Sequence, residues 1–215
     1  MRKIGILGGS FDPVHFGHLR TALEIREALA LDEVRLVPAG QPPHRDPPVA
    51  PAALRMQMLQ AAVNQVAHFV VDGRELKRPG PSYTVDTLAE LRREFADAQL
   101  VLIVGMDAFL GIQEWHEWRG IFQHAHLIVA HRPGWAPPDS GALTELLCQR
   151  RVDSGAELSA ESAGRVLLQP VTPLEISSTG IRAAIGAGGD PRYLVPEAVR
   201  ELLLKSGCYT QGREH

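Results

Sequence analysis

Six short apolar runs constrain what this chain can fold into: KIGIL, EVRLVP, HFVVD, QLVLIVG, AHLIVAH and RVLLQPV. Several are apolar without alternation, and a strand apolar on both sides has to be covered on both faces. Segments of helical period lie between them. Residues 18–30 carry Leu19 and Leu23 on one stripe, with Ala22, Ile25 and Leu29 beside it. Leu54 is followed at helical spacing by Met58, Ala62 and Val66, and PSYT is followed by Val85, Leu88, Leu91 and Phe95. Pro196 suits the first turn of a last helix and Gly207 its end. Strand alternating with helix predicts the α/β class, as one doubly wound, mainly parallel sheet with helices on both faces.

A chain of 215 residues suits one domain, expected over 1–209, with 210–215 reading as a frayed tail. Five prolines within residues 42–51, and RPGWAPPDSG at 132–141, mark two loops, the second leading to a helix near 142–150. With 45% hydrophobic and 22% charged residues the composition is that of a soluble globular protein. Net charge is −3 and no basic block occurs, which disfavours a nucleic-acid partner. Cys148 and Cys208, without C-x-x-C spacing, speak against a disulfide scaffold or thiolate zinc site and suit a reducing, cytoplasmic setting. The apolar start MRKIGILGG breaks too early for a signal peptide, and no 18-residue apolar stretch exists to span a membrane.

The first run ends in Gly8-Gly9-Ser10-Phe11 and leads into Asp12-Pro-Val-His15-Phe-Gly17-His18. In an open parallel sheet, ligands bind beyond the carboxyl ends of the strands. Glycines there permit a sharp turn and close backbone approach, and amides at the following helix start attract phosphate. The spacing is neither G-x-G-x-x-G nor a G-K-[ST] loop, so a dinucleotide fingerprint and a P-loop are both unsupported. Two imidazoles near a helix start suit hydrogen bonds to phosphate oxygens, with Gly17 leaving room between them. Two competing readings are surface histidines of a turn and a metal set on the D-x-x-H-x-x-H spacing of Asp12, His15 and His18. No further carboxylate cluster follows to complete the metal set. Toward the other end, PLEISSTGIR (173–182) places Ser177, Ser178 and Thr179 where they can cap a helix and present hydroxyls and amides to an anion. Arg182 follows one turn later with a fork suited to phosphate; an ordinary N-cap beside a solvated arginine is the alternative.

GGSFDPVHFGH together with ISSTGIR resembles the superfamily of H-x-G-H nucleotidyltransferases. The segments PPHR (42–45), PSYTVDTL (81–88), GMDA (105–108), WHEW (115–118) and HRPG (131–134) resemble the bacterial nicotinate-mononucleotide adenylyltransferases within it. The likeness runs from residue 4 to about 182, with Arg45 standing where lysine is frequent, and Met106 and His116 at variable positions.

This resemblance implies a Rossmann-like nucleotidyltransferase fold and the reaction of ATP with nicotinate mononucleotide to give deamido-NAD and pyrophosphate. A phosphate monoester has its second pKa near about 6, so the attacking mononucleotide is mostly a dianion at neutral pH and needs no general base. Positioning and charge stabilisation then supply the rate. By resemblance His15, His18 and Arg182 are catalytic, His18 nearest the α-phosphate, with Ser178 and Thr179 helping Arg182 hold the departing pyrophosphate. Mg²⁺ would bridge phosphate oxygens without a dedicated protein ligand set. Gly8, Gly9, Ser10 and Phe11 at the first strand exit, and Gly105 and Asp107 at the exit of QLVLIVG, would meet ATP; Asp107 as a helix N-cap is the alternative. The mononucleotide would be met by Asp12, His44, Arg45, Thr84, Trp115, His116 and Arg132. Of these, His44, Arg45 and Arg132 face its phosphate, and Trp115 stacks on the pyridine ring. Thr84 and the backbone near His116 receive the carboxylate. A core role for Trp115 and plain exposure of the basic residues are the alternatives, with Trp118 expected in the core.

Two other acceptors, nicotinamide mononucleotide and phosphopantetheine, would use the same histidine motif. The phosphopantetheine reaction has no need of the WHEW and PSYT segments. A class I aminoacyl-tRNA synthetase also uses H-x-G-H, but the chain is short for one and has no K-M-S-K-S-like loop. A non-catalytic nucleotide sensor is the reading from another class, and nothing in the sequence sets an oligomeric state.

Overall fold

Runs that are apolar without alternation become strands buried on both sides. The computed structural model describes residues 1–43, 46–131 and 140–210. Seven strands form one sheet there: β1 (Lys3–Gly9), β2 (Glu33–Pro38), β3 (Phe69–Val71), β4 (Gln99–Gly105), β5 (His126–His131), β6 (Arg151–Val152) and β7 (Val166–Pro170). Their order is β3-β2-β1-β4-β5-β7-β6 and every pairing is parallel. The six expected runs are six of these strands, and the seventh, β6, has only two residues, too few to stand out as a run.

The helices in chain order are α1 (Phe16–Leu29), α2 (Ala52–Ala62), α3 (Arg74–Lys77), α4 (Thr84–Glu94) and α5 (Met106–Leu110). They continue with α6 (Ile121–His124), α7 (Ala142–Arg150), α8 (Gly155–Leu158), α9 (Ser178–Gly186) and α10 (Glu197–Ser206). Strand β4 shows how the two faces are divided. Val101 and Ile103 join a core with Ile25 of α1, Met58 of α2, Ile181 of α9 and Leu203 of α10. Leu100, Leu102 and Val104 join the opposite core with Leu88 of α4, Phe109 of α5, Ile121 of α6 and Leu143 of α7. Side chains alternate along a strand, so a continuous apolar run fills both cores at once.

Two helical stripes differ from expectation. In α1 the buried side is Ala22, Ile25 and Leu29, whereas Leu19 is only partly buried against the core. The stripe after Leu54 ends with Ala62, because Gln65 takes a left-handed backbone (φ 63°) and leaves Val66 46% exposed. The end of α10 follows expectation, with Gly207 at φ 62° capping it. Of the predicted tail, Thr210 closes a turn onto Gly207 O and the remainder lies outside the described residues.

The strand order fixes where a ligand can sit. From β1 the chain moves outward through β2 and β3, then crosses back to β4 and continues through β5 to the other edge. The switch point therefore lies between β1 and β4, whose carboxyl ends are Gly9 and Gly105. A crevice outside such a switch point is where open α/β sheets bind ligands. Among the described residues no helix is long and apolar enough to cross a membrane.

Candidate active site

The two phosphate-type motifs, 160 residues apart in sequence, are bonded to each other at this crevice. Ser178 Oγ donates to Pro13 O at 2.9 Å, and Arg182 Nη1 donates to Asp12 O at 2.7 Å. Arg182 Nη2 also donates to Thr179 Oγ1 at 3.2 Å, which ties the guanidinium to the first turn of α9. That turn is capped by Ser177, whose Oγ accepts from Gly180 N at 3.1 Å. The turn that leads into His15 and His18 is thus bonded to the start of the helix that carries Arg182, where the partial charges of α1 and α9 favour an anion.

His15 holds extended backbone at the N-cap of α1, and its ring makes no capping bond to the helix amides. Its imidazole is stacked on that of His18, with centroids 3.7 Å apart, and the edge of Phe11 meets His18 at 5.1 Å. Phe11 is fully buried at φ 48°, so its contribution to a ligand is confined to its backbone. Burial lowers the His15 pKa to about 4. At neutral pH this ring is uncharged and acts as a hydrogen-bonding group instead of a cation. Its Nδ1 is buried without a hydrogen-bond partner, an arrangement that invites a polar ligand atom. Gly17 is required here: a Cβ on it would lie 2.9 Å from His15 Nδ1 and Cε1.

Gly8 and Gly105 carry the opposite message. A Cβ on either would meet nothing within 4 Å, and neither has a left-handed backbone. The chain's own packing does not demand glycine at these two strand exits, and the space beside each backbone is open. Asp107 is exposed in the first turn of α5, whose N-cap is Gly105 and not an aspartate. The carboxylate is therefore open to solvent at the switch point.

The PSYT and WHEW segments meet each other. Tyr83 stacks on His116 with centroids 4.1 Å apart, and Gly120 packs so closely on Val85 that a Cβ would lie 3.0 Å from its Cγ2. Thr84 is the first residue of α4 and half-buried. Trp115 is half-buried and packs on the second core, which leaves part of its ring accessible. Trp118 packs on the same core, edge-on to Phe122 at 6.3 Å. His44, Arg45 and Arg132 lie outside the described residues.

Asp12 is placed differently from a side chain free to meet a mononucleotide. It is 3% exposed, and both carboxylate oxygens are engaged by the chain itself. Oδ2 accepts from Val49 N at 2.8 Å; Oδ1 accepts from Ala50 N at 2.9 Å and from the Tyr209 hydroxyl at 2.6 Å. Arg182 Nη1 stands 3.7 Å from Oδ2. Arg55, 2% exposed, donates to Ser10 O and Ala39 O at 2.8 Å each and to Ala50 O at 3.3 Å. The exits of β1 and β2 and the end of the proline-rich loop are thereby pinned to one guanidinium. Ser82 performs the same service at the loop's start, where its Oγ accepts from Gly40 N and Gln41 N at 3.0 and 3.2 Å.

Arg55, Ser82 and Tyr209 were not among the residues singled out by sequence. Ser82 lay within the quoted PSYT segment without a role of its own, Arg55 showed only as a charge between Leu54 and Met58, and Tyr209 left no trace.

Among the described residues no group of three or more His, Cys, Asp or Glu side chains could hold a metal ion. The competing metal reading of Asp12, His15 and His18 therefore lacks its geometry, since Asp12 is turned to backbone amides and Tyr209.

Comparison with known proteins points the same way. The cytidylyltransferase-like family profile matches residues 6–184. A protein of Halorhodospira halophila named probable nicotinate-nucleotide adenylyltransferase is 48% identical over 209 residues, covering 97% of this chain and 96% of the relative. One of the same name from Aeromonas hydrophila is 46% identical, covering 96% of each. Among solved structures, the Plasmodium falciparum nicotinic acid mononucleotide adenylyltransferase complexed with NaAD superposes with a TM-score of 0.72 at 16% identity, covering 97% of this chain and 98% of that one. At that identity the likeness bears on the fold alone.

Proposed function

The chain belongs to the cytidylyltransferase-like family, within its nicotinate-nucleotide adenylyltransferases, and from that premise we propose how its site transfers the adenylyl group of ATP to nicotinate mononucleotide. The observation that carries the assignment of residues is the bonding of the histidine motif to the Arg182 turn at the sheet's switch point.

The mononucleotide phosphate oxygen forms a bond to the α-phosphorus of ATP, the bond from that phosphorus to the bridging oxygen breaks, and pyrophosphate leaves with the electron pair. The nucleophile is already mostly dianionic at neutral pH, so no proton has to be removed by the protein. His18 donates to the α-phosphate and strengthens that bond as charge builds in the transition state. His15, neutral through burial, contributes a hydrogen bond beside it. Arg182, Ser178 and Thr179 receive the departing pyrophosphate. Gly8, Gly9, Ser10 and the Phe11 backbone line the triphosphate, while Gly105 admits the adenosine and Asp107 accepts from its ribose hydroxyls. Mg²⁺ enters as part of the Mg·ATP substrate, held mainly by phosphate oxygens and water.

Trp115 stacks on the pyridine ring, and Thr84 with the backbone at His116 receives the carboxylate. An acidic ring substituent gains from helix-start amides, whereas a carboxamide brings its own NH₂ against them. His44, Arg45 and Arg132 take the mononucleotide phosphate. We place the reaction in the cytoplasm on the ground that Cys148 and Cys208 are both unpaired.

Pyrophosphate release from ATP, measured in parallel with nicotinate mononucleotide, nicotinamide mononucleotide and phosphopantetheine, tests the assignment. Release with the nicotinate compound is expected. Release with phosphopantetheine alone would reassign the acceptor, and release with none would leave a nucleotide sensor. Trp115→Ala is expected to raise KM for the mononucleotide roughly tenfold, the scale of a lost aromatic stack, while sparing KM for ATP. Equal losses for both substrates would make Trp115 a core residue only. Gly17→Ala, which drives a methyl into the His15 ring, is expected to lower kcat about tenfold through sub-ångström misplacement. A variant with wild-type kcat would mean that the His15 ring is not held for catalysis.

A further inference from the structure

The last turn of the described chain reaches into the phosphate site. Gly207, at φ 62°, ends α10 in the left-handed conformation and turns the chain back on itself. Tyr209 is thereby carried into the first core, 6% exposed, with its hydroxyl donating to Asp12 Oδ1 at 2.6 Å. Helix α10 packs on α2, the helix that carries Arg55. Two residues far from the motifs, Tyr209 and Arg55, therefore flank the segment Ser10–Asp12 that the motifs share.

The geometry around Asp12 leaves little freedom. Its main-chain oxygen accepts the short bond from Arg182 Nη1 at 2.7 Å, while its carboxylate stands 3.7 Å from the same nitrogen. The guanidinium is thus held by a neutral carbonyl and only neighboured by the anion. Three donors hold the carboxylate where it stands: Val49 N on Oδ2, the oxygen nearer Arg182, and Ala50 N and the Tyr209 hydroxyl on Oδ1. Of these three, the hydroxyl is the only side-chain donor, and it lies on the oxygen that does not face Arg182. Burial and the adjoining Asp12 anion both push the Tyr209 pKa up, so the hydroxyl keeps its proton and stays a donor.

We propose that Tyr209 is a positioning residue for adenylyl transfer, which anchors the Asp12 carboxylate so that the Arg182 guanidinium stays available to the pyrophosphate oxygens. The proposal rests on the adenylyl-transfer reading above for what Arg182 binds. Without the hydroxyl, the carboxylate rotates toward Arg182, the pair closes, and the fork is drawn off the anion it would otherwise receive. The phenyl ring itself does the packing in the core, so Tyr209→Phe removes the anchor and leaves the fold.

The test is a double-mutant cycle with the full chain: wild type, Tyr209→Phe, Arg182→Ala and the double variant. Turnover is measured with ATP and nicotinate mononucleotide, pyrophosphate affinity by calorimetry, and folding by thermal melting. Tyr209→Phe is expected to lower kcat and to weaken pyrophosphate binding by about tenfold each, the scale of one hydrogen bond to a charged group. In the Arg182→Ala background the same change should matter less than about twofold, because residues acting through one another are not additive. A merely structural tyrosine would lower the melting temperature and impose the same fold-loss in both backgrounds, and that additivity would overturn the proposal. So would wild-type values in Tyr209→Phe. If the wild type turned over none of the three acceptors yet pyrophosphate binding still showed the coupling, the reaction assigned above would fail while the positioning role stood. Normal turnover without coupling would do the reverse.

Discussion

His18→Ala is expected to lower kcat for adenylyl transfer by about 10²–10³-fold, the scale for losing one transition-state donor, while KM for ATP changes much less. The reasoning starts from what the neighbours cannot replace. His15, the ring stacked on it at 3.7 Å, is buried and uncharged at neutral pH, with a pKa lowered to about 4. It therefore brings no compensating charge when His18 is lost. Arg182 is tied to Asp12 O and Thr179 Oγ1, and the proposed reaction assigns it to the leaving group. In the proposed ground-state complex ATP keeps the strand-exit amides and Arg182, so affinity is expected to survive. What is lost is the group that meets charge as it develops on the α-phosphate. Steady-state kinetics decide the matter: a raised KM with kcat intact would make His18 a uniform binding residue and not a transition-state donor.

The parts of this fold legible in sequence are those whose cause is local. Six of the seven strands are legible as apolar runs, and where both faces are covered the run is continuous, as β4 shows with Leu100–Val104 divided between two cores. The helix stops at Ala62 and Gly207 differ in legibility for the same reason. Gly207 is a residue type chosen for its left-handed backbone, whereas the break after Ala62 depends on Gln65 adopting φ 63° without any such marker. In α1 the apolar positions are legible as a set, but which of them are fully buried, namely Ala22, Ile25 and Leu29 and not Leu19, is settled by packing.

The candidate site divides in the same way. The histidine pair and the serine-rich turn are short motifs whose chemistry is carried by adjacent residues, and the fold does bond one to the other. The role of Asp12 is a different matter. A carboxylate beside a proline in a phosphate motif reads as a ligand contact, yet the structure gives its oxygens to Val49, Ala50 and Tyr209. The last of these partners lies 197 residues away, and no local pattern marks a tyrosine near a chain's end as part of a phosphate site. Arg55 and Ser82 share that character, because each holds backbone groups of segments that only the fold brings near.

Asp12 offers the sharpest test of this division, through the isosteric change Asp12→Asn. Each carboxylate oxygen accepts a backbone N–H, Val49 N on Oδ2 and Ala50 N on Oδ1. An amide has one oxygen and one NH₂, so in either orientation its nitrogen points at a backbone donor. If the nitrogen takes the Oδ2 side it opposes Val49; if it takes the Oδ1 side the Tyr209 hydroxyl can turn to accept, but Ala50 still faces it. The substitution also removes the anion that lies between the buried Arg55 and Arg182. Deleting one member of a buried charge set costs about 3–5 kcal/mol, and a chain of this size loses about 2–4 °C of melting temperature per kcal/mol. Asp12→Asn is therefore expected to melt about 6–20 °C lower than the wild type, and its kcat is expected to fall by about 10²-fold because the end of the proline-rich loop at Val49–Ala50 loses its anchor beside the main-chain oxygen that holds Arg182. Were Asp12 instead a contact for the mononucleotide, the variant would keep its melting temperature and lose only affinity for that one substrate. Melting curves and the two KM values, taken on one preparation, separate these outcomes.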